Sequence, residues 1–466
     1  MRLEWRKTGR RPPGPKGHPV IGHVHLLWKD PLHNLLEASR DHGDLVRFDF
    51  GPFPYYLVND VDAVKRVLID NNRAYVKSRN YEGLKLILGE GLVTSDGELW
   101  RRQRKLAQPA FLKRRIDAFG PPIARYAADM ADAWEAERGE ALDVHEEMMK
   151  LTFRIVGKTL FDKDLAHEAD AIGPTVSVLI HFANDWAESL LRLPTWLPLP
   201  RNFEFRRAMA SLDRLVSDIV ETRRATGDER EDLLGLLMSA TDEQGRMDEQ
   251  QLRDEVITLV MAGHETTANL LSWTWYLLSR HPETDRALEA ELDAVLGGRL
   301  PTVEDLPKLE LTDRVVRESL RLYPPAWAFE RDSIEDDELC GYPIPAGSTL
   351  GISPYALHRH PDHWDNPEGF DPDRWLPDAA KARNRFAYLP FGAGPRQCIG
   401  LGMALMEAKL VIATLRQRHH LALVPGHRVE LDPAVTLRPK HGMRMTVRPR
   451  TAPQRPHDQT RPAVAS

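Results

Sequence analysis

The chain has 466 residues, 42% of them hydrophobic and 28% charged, with a formal net charge of −6. That composition excludes wholesale disorder, a collagen-like rod and a multi-span membrane protein; the negative balance argues against general nucleic-acid binding, which needs a broad basic surface. Two cysteines, Cys340 and Cys398, cannot build a disulfide framework, so a reducing, cytoplasmic setting is expected in which any reactive cysteine acts alone.

Met1 to Arg11 is short and basic without an apolar core, so no membrane anchor or export signal is expected. Pro12-Pro13-Gly14-Pro15 is a stiff stop that sets a basic, Pro-rich tail (1–16) apart from the body. Leu45–Phe50 and Tyr55–Val58 have strand patterns. From Leu99 to Arg321 apolar residues recur with helical period. Arg101–Arg115 lies in that stretch and carries seven cations and no acid. The longest helix is predicted over Asp248–Arg280, about 50 Å long, with His281-Pro282 as its stop. Its middle, Val256–Ala262, is apolar all round and so buried. Ala262-Gly263-His264-Glu265-Thr266-Thr267 then places glycine, acid and alcohols where each is costly. Taken alone, the hexad fits either a bent helix with back-bonded threonines or a polar site. Phe329–Pro354 returns to short strands, and a last long helix follows Cys398. From Arg448 on, a polar, Pro-rich tail (448–466) is expected to be disordered. No linker divides the remainder, which predicts one large, mainly α domain with a smaller β region over 17–447.

Phe391-Gly392-Ala393-Gly394-Pro395-Arg396-Gln397-Cys398-Ile399-Gly400 forms a tight loop before that last helix. A sulfur at a helix N-terminus sees free amides and the positive dipole end, and Arg396 adds charge, so thiolate is favoured. A buried structural cysteine is the alternative. The decad resembles, at every fixed position, the Phe-x-x-Gly-x-Arg-x-Cys-x-Gly haem-ligand loop of the cytochrome P-450 monooxygenases. Three further segments follow that family's order. The hexad resembles its oxygen-activation motif, Glu318-Ser319-Leu320-Arg321 its Glu-x-x-Arg, and Phe370-Asp371-Pro372-Asp373-Arg374-Trp375 the segment supplying a second arginine. Glu-x-x-Arg alone says little, since Glu98/Arg101 and Glu283/Arg286 share its spacing. Together the segments resemble a soluble, bacterial-type member.

The resemblance implies a P-450 fold with haem b (iron protoporphyrin IX) between the long central helix and the cysteine loop. Cys398 is then the iron ligand, shielded by Phe391, with amides near Ile399 and Gly400 bonding the sulfur. Trp100, Arg104, Arg331 and Arg396 are expected to receive the propionates. Ala262 and Gly263 let the helix pass close to the porphyrin. Thr266 resembles the alcohol that bonds dioxygen, and Glu265 the acid that relays protons. Glu318, Arg321 and Arg374 are implied to form a buried structural triad. His264 and Cys340 have no implied role and are expected to be a solvated or core-bonded histidine and a packing residue. The implied reaction inserts one oxygen of O2 into a C–H or C=C bond of a hydrophobic small molecule (terpenoid, fatty acyl or polyketide-like). Electrons would come from NAD(P)H through a ferredoxin or flavodoxin with its reductase, docked on the basic stretch through residues such as Arg102 and Lys113. The substrate pocket is expected between the Asn80–Val93 loop, the long helix, Ala326–Phe329, a lid at Leu190–Leu199 and a turn at Thr436-Leu437. Two other readings are a haem-thiolate peroxygenase or isomerase, and a haem-based gas sensor or carrier. The Glu265–Thr266 pair counts against the first, and the lack of an output domain against the second.

Overall fold

The strand patterns near the N-terminus reflect a pairing of the two segments. In the computed structural model, which describes residues 11–18, 22–50, 53–136, 139–189, 192–226, 232–239, 241–242 and 245–450, β1 (Leu45–Phe50) runs antiparallel to β2 (Phe53–Val58). Val46, Phe48 and Leu57 are fully buried, so the hairpin is fixed by its apolar face. The sheet has five strands, and its later members are β3 (Tyr75–Lys77), β4 (Phe329–Ser333) and β5 (Thr349–Ile352). β5 joins β2 in parallel and β4 antiparallel, and β4 pairs in turn with β3.

The helical region contains α1 (Gly97–Ala107), α2 (Val144–Phe161), α3 (Ala169–Glu188), α4 (Glu249–Arg280) and α5 (Glu310–Leu322). α4 matches the expected long helix, with Asp248 as its cap accepting the Gln251 amide at 2.8 Å. Val256, Ile257, Val260, Leu271, Trp273 and Trp275 on α4 are almost completely buried. α4 packs on α2, α5 and the last helix, α6 (Leu401–Arg416), and so forms the axis of the core. Among the described residues no helix is long and apolar enough to cross a membrane.

After α6 come strands that composition did not foretell: β6 (His419–Leu423), β7 (Leu431–Pro433), β8 (Leu437–Pro439) and β9 (Arg444–Pro449). β6 pairs with β9, and β7 with β8 as a hairpin. β9 therefore runs past the expected 447/448 boundary, with Arg448 opposite His420, and Arg450 donates its amide to Arg418 O at 3.0 Å. A prolyl, basic segment is strand here because its partner strand is already in place. At the other end the body starts before residue 17. Arg47 donates to Pro13 O at 2.8 Å, and a Cβ on Gly14 would lie 2.1 Å from Arg47 O. Residues 1–10 and 451–466 of the two expected tails lie outside the described residues.

Candidate active site at the cysteine loop

The loop's glycines are set by geometry. Gly392 and Gly394 have φ of +64° and +71°, and a Cβ on Gly394 would lie 2.1 Å from Leu68 O. Cys398 closes the loop by donating its amide to Phe391 O at 2.9 Å, and Gly400 then caps α6. The sulfur accepts from the amides of Gly400 and Leu401, one residue beyond the expected pair Ile399 and Gly400; Ile399 instead packs against the core. Burial pushes the thiol up from its ordinary value, opposed by these two amides and by the Arg104 charge. Cys398 is enclosed by protein yet keeps accessible surface, so its sulfur borders open space rather than packed atoms.

A matching opening interrupts α4. Ala262 is exposed and Gly263 and Thr266 are half-buried, whereas the helix on either side is buried. A Cβ at Gly263 would meet only Val156 Cγ2, at 3.1 Å. Accessible surface midway along a core helix marks an interior space beside it.

A cluster of cations lies at the edge of α1. The Arg396 guanidinium donates to Ser95 O at 2.9 Å, forms an ion pair with Asp96 and lies 4.3 Å from the Trp100 ring centroid. Arg331, 8% exposed on β4, donates to Glu330 O at 2.7 Å. Burial and then the charges of Arg331 and Arg396 hold the Lys77 amine well below its usual value. Asp96 is the acid that offsets this group, because burial pushes Glu330 toward its neutral form even though Ser78 and Asn80 donate to it. Positive charge thus exceeds negative at a site lined by Tyr75, Trp100, Arg331 and Arg396, an environment suited to added carboxylates. Arg104 lies one turn along α1 from Trp100. It donates to Gln397 O at 2.9 Å and Gln108 Oε1 at 3.1 Å, which puts it over the cysteine loop rather than in this cluster.

The acid and alcohol point away from one another. Thr266 donates to Ala262 O at 2.8 Å, one turn back on its own helix. Glu265 is buried and accepts from Thr436 Oγ1 at 2.6 Å, with Arg438 Nη1 at 3.7 Å. Burial pushes its carboxyl up; Arg438 and Thr436 pull it down, and the net direction is up. His264 is not solvated. It is buried, packs edge-on to Phe153 with centroids 5.5 Å apart, and is held neutral by burial with its pKa down at about 3. His264 thus takes the core alternative of the two expected, whereas Cys340 is not a packing residue: it is exposed at the turn before Gly341, with φ +51°.

Glu318 and Arg321 are completely buried on one face of α5. Arg321 donates to both Glu318 oxygens (2.9 and 2.8 Å) and to the carbonyls of His358, Pro367 and Gly369. Arg374 approaches Glu318 at 3.4 Å, and the Trp375 indole and Asp371 amide each donate to Glu318 at 3.0 Å. The structure therefore brings the expected triad together and adds two donors.

The walls of the expected pocket are tied to α4. The Glu90 and Leu92 amides donate to Asp254 and Glu255, at 2.9 and 3.2 Å. Glu255 is itself buried, and burial raises its carboxyl to about 8. Trp327 donates to Ala434 O at 2.8 Å, and Leu437 accepts from the Trp273 indole at 3.1 Å. In the expected lid, Leu190 and the next residue lie outside the described residues, and Trp196 is 71% exposed rather than turned inward. On the basic stretch, Arg102 is not an open cation: it reaches Gln251 Oε1 at 3.1 Å and Gly245 O at 3.0 Å. Lys105, Lys113 and Arg114 are exposed, as is Leu112, and Lys113 pairs with Asp117 at 2.6 Å. The sequence reading missed Lys77, Asp96 and Arg438, and placed Thr436 in a pocket-lining turn without its bond to Glu265; none of the four lies in a local motif.

A lone cysteine sulfur braced by helix-terminal amides, a mid-helix opening in α4 and a cation cluster beside Trp100 together fit a haem-thiolate protein. The chain belongs to the Cytochrome P450 family, whose profile matches residues 12–445. It is 41% identical over 438 residues to cyclooctatin synthase of Streptomyces melanosporofaciens, covering 93% of this chain and 94% of that one. It is 35% identical over 446 residues to pentalenene oxygenase of Streptomyces avermitilis, covering 94% and 98%. The solved heme domain of cytochrome P450DA superposes with a TM-score of 0.85 at 28% identity, covering 94% of this chain and 98% of that one. The protein is an oxidoreductase of the monooxygenase type, with the P450 fold in a single mainly α domain.

Proposed function

We propose that this cytochrome P450 inserts one oxygen atom from O2 into a C–H or C=C bond of a terpenoid, drawing electrons from NAD(P)H through a ferredoxin or flavodoxin and its reductase in the cytoplasm. The relatives named for cyclooctatin and pentalenene support the substrate class. The observation that carries the chemistry is the Cys398 loop, its sulfur bordering open space, in a core whose central helix α4 is opened at Ala262, Gly263 and Thr266.

Haem b supplies dioxygen activation when bound, with the thiolate favouring O–O cleavage. Cys398 would hold the iron, and the Gly400 and Leu401 amides temper the sulfur's electron donation. Arg331, Arg396 and Lys77 would meet the propionates beside Trp100, while Arg104 steadies the loop through Gln397. Phe391 shields the sulfur side, and Ala262 and Gly263 leave room on the other. Thr266 can turn its hydroxyl from Ala262 O into the site and hold a proton there. Glu265, buried and biased toward its protonated form, can supply that proton while bulk water stays out. Exposed Lys105, Arg114 and Lys113, the last paired with Asp117, are the surface offered to an acidic electron carrier.

The test is a spectral binding screen of the haem-loaded protein against cyclic terpene hydrocarbons, terpene alcohols, fatty acids and macrolides, followed by product analysis with a surrogate ferredoxin system. Binding and oxygenation confined to fatty acids or macrolides would refute the terpenoid assignment. Turnover that runs on peroxide but not on reduced ferredoxin would favour the peroxygenase reading.

A further inference from the structure

Glu265 is tied to groups far from it in sequence. Its carboxylate accepts from Thr436, which also accepts from Asn269 Nδ2 at 3.2 Å. Arg438, on β8, approaches the same carboxylate oxygen at 3.7 Å. Two other elements hold that guanidinium. Asp432 on β7 pairs with its Nε at 3.3 Å, and Ser177 on α3 accepts from its Nη2 at 2.7 Å. Asp432 also meets His181 Nε2 at 3.2 Å, one turn along α3 from Ser177, and the His181 Nδ1 side contacts Ser177 O at 2.8 Å. Exposure rises steadily along this chain of contacts, from 2% at Glu265 through 9% at Arg438 and 23% at Asp432 to 48% at His181.

We propose that Arg438, pinned between Asp432 and the Ser177–His181 turn of α3, is a positioning residue that sets how tightly Glu265 holds its proton. This rests on the reading of Glu265 as the proton carrier. In each delivery the carboxylic O–H bond of Glu265 breaks and is remade with a proton from solvent, with no change of oxidation state. Arg438 carries no proton itself, and its charge favours the carboxylate. Asp432 and Ser177 decide how much of that charge Glu265 feels, because both compete for the same guanidinium. The contact spans α3, the β7–β8 hairpin and α4, so any shift of α3 on the hairpin is transmitted to the acid.

Among the described residues, the charged groups acting on Glu265 are Arg438, His181 and Asp432: the first two favour the carboxylate and Asp432 the acid. On α2, His145 faces Arg438 but is kept neutral by burial, its pKa down at about 4. His264 is buried and neutral, packed against Phe153 of α2. Asp432 is held ionised by its bond to His181, and His181 is raised in return.

Opposite signs test the proposal. In haem-loaded ferric protein, the Glu265 carboxyl stretch is assigned by its loss in Glu265→Gln and titrated by infrared difference spectroscopy. Arg438→Gln is expected to move the midpoint up by about one pH unit or more, as loss of a cation within 4–6 Å does. Asp432→Asn is expected to move it down, because it removes an anion and frees Arg438 toward Glu265. Arg438→Lys, which keeps the charge, is expected to stay near the parent and guards against a trivial loss of packing. The alkaline limb of ferredoxin-driven turnover is expected to follow the same order. Infrared midpoints that do not move, or that move in the same direction for Arg438→Gln and Asp432→Asn, overturn the proposal. Midpoints that move in opposite directions while Glu265→Gln leaves coupling unchanged uphold Arg438's hold on the carboxyl and refute Glu265 as the carrier.

Discussion

Replacing Glu318 by alanine removes the anion around which a wholly buried cluster is built. Arg321 has no solvent exposure, and two of its donor groups are directed at Glu318. Breaking a buried pair by deleting one partner costs about 3–5 kcal/mol, because the remaining charge stays buried. The partly buried Asp371 amide and Trp375 indole also lose their acceptor, adding about 1 kcal/mol each. Three carbonyls still bond Arg321, which keeps the total toward the lower end. A loss of roughly 5 kcal/mol is comparable with the whole stability of many proteins, about 5–15 kcal/mol. Glu318→Ala should therefore yield little haem-loaded protein, with a markedly lower denaturation midpoint for what remains. Haem per polypeptide and urea unfolding of the purified holoprotein measure this. Adding Arg321→Met to Glu318→Ala should recover part of the loss, since the fully buried guanidinium is then gone, while Arg374 at the cluster's edge keeps its bond to Asn366 O. Parent-like haem content and midpoint in Glu318→Ala, or a double variant worse than the sum of the singles, would refute the reasoning.

Cys398→Ala should abolish the thiolate signature in the spectrum of reduced, carbon-monoxide-treated protein, and a variant that keeps it would remove Cys398 as the ligand. Thr266→Ala should retain haem and substrate binding but lower product formed per NAD(P)H, with peroxide or water rising in compensation; unchanged coupling would assign the task to another donor. Glu255 bears on pH: burial keeps its carboxyl protonated in the folded chain up to about pH 8, whereas the unfolded chain ionises it near 4.3, so the folded state binds the extra proton and loses stability as pH rises between those values. Glu255→Gln should equal the parent near pH 4 and exceed it at pH 8 by up to a few kcal/mol in urea unfolding, and an equal pH slope in both proteins would contradict the shift. Lys113→Glu with Arg114→Glu should slow reduction by ferredoxin without altering spectral substrate affinity, and the parent's reduction rate should fall with salt; rates insensitive to both would place docking elsewhere.

The long helix and the cysteine loop were legible in the sequence because each depends on neighbours within a few residues, whereas Glu318–Arg321 stood out only through the family resemblance, since its spacing recurs elsewhere in the chain. Period and capping define α4 from Asp248 to Arg280, and the glycines of the Phe391–Gly400 loop stand where backbone angle demands them. What the cations do was not legible in the same way. Arg102 and Arg104 look alike on a basic helix, yet one binds Gln251 on α4 and the other the carbonyl of Gln397. Arg448 and Pro449 look like tail and are strand, because β6 supplies the missing hydrogen bonds. Glu265 could be singled out as an acid in an apolar helix, but its partners Thr436 and Arg438 lie more than 170 residues further along the chain. Local periodicity and turn chemistry act over a few residues and can be read from a single sequence. A buried charge takes its partner from whichever element packs beside it, and that choice belongs to the tertiary structure.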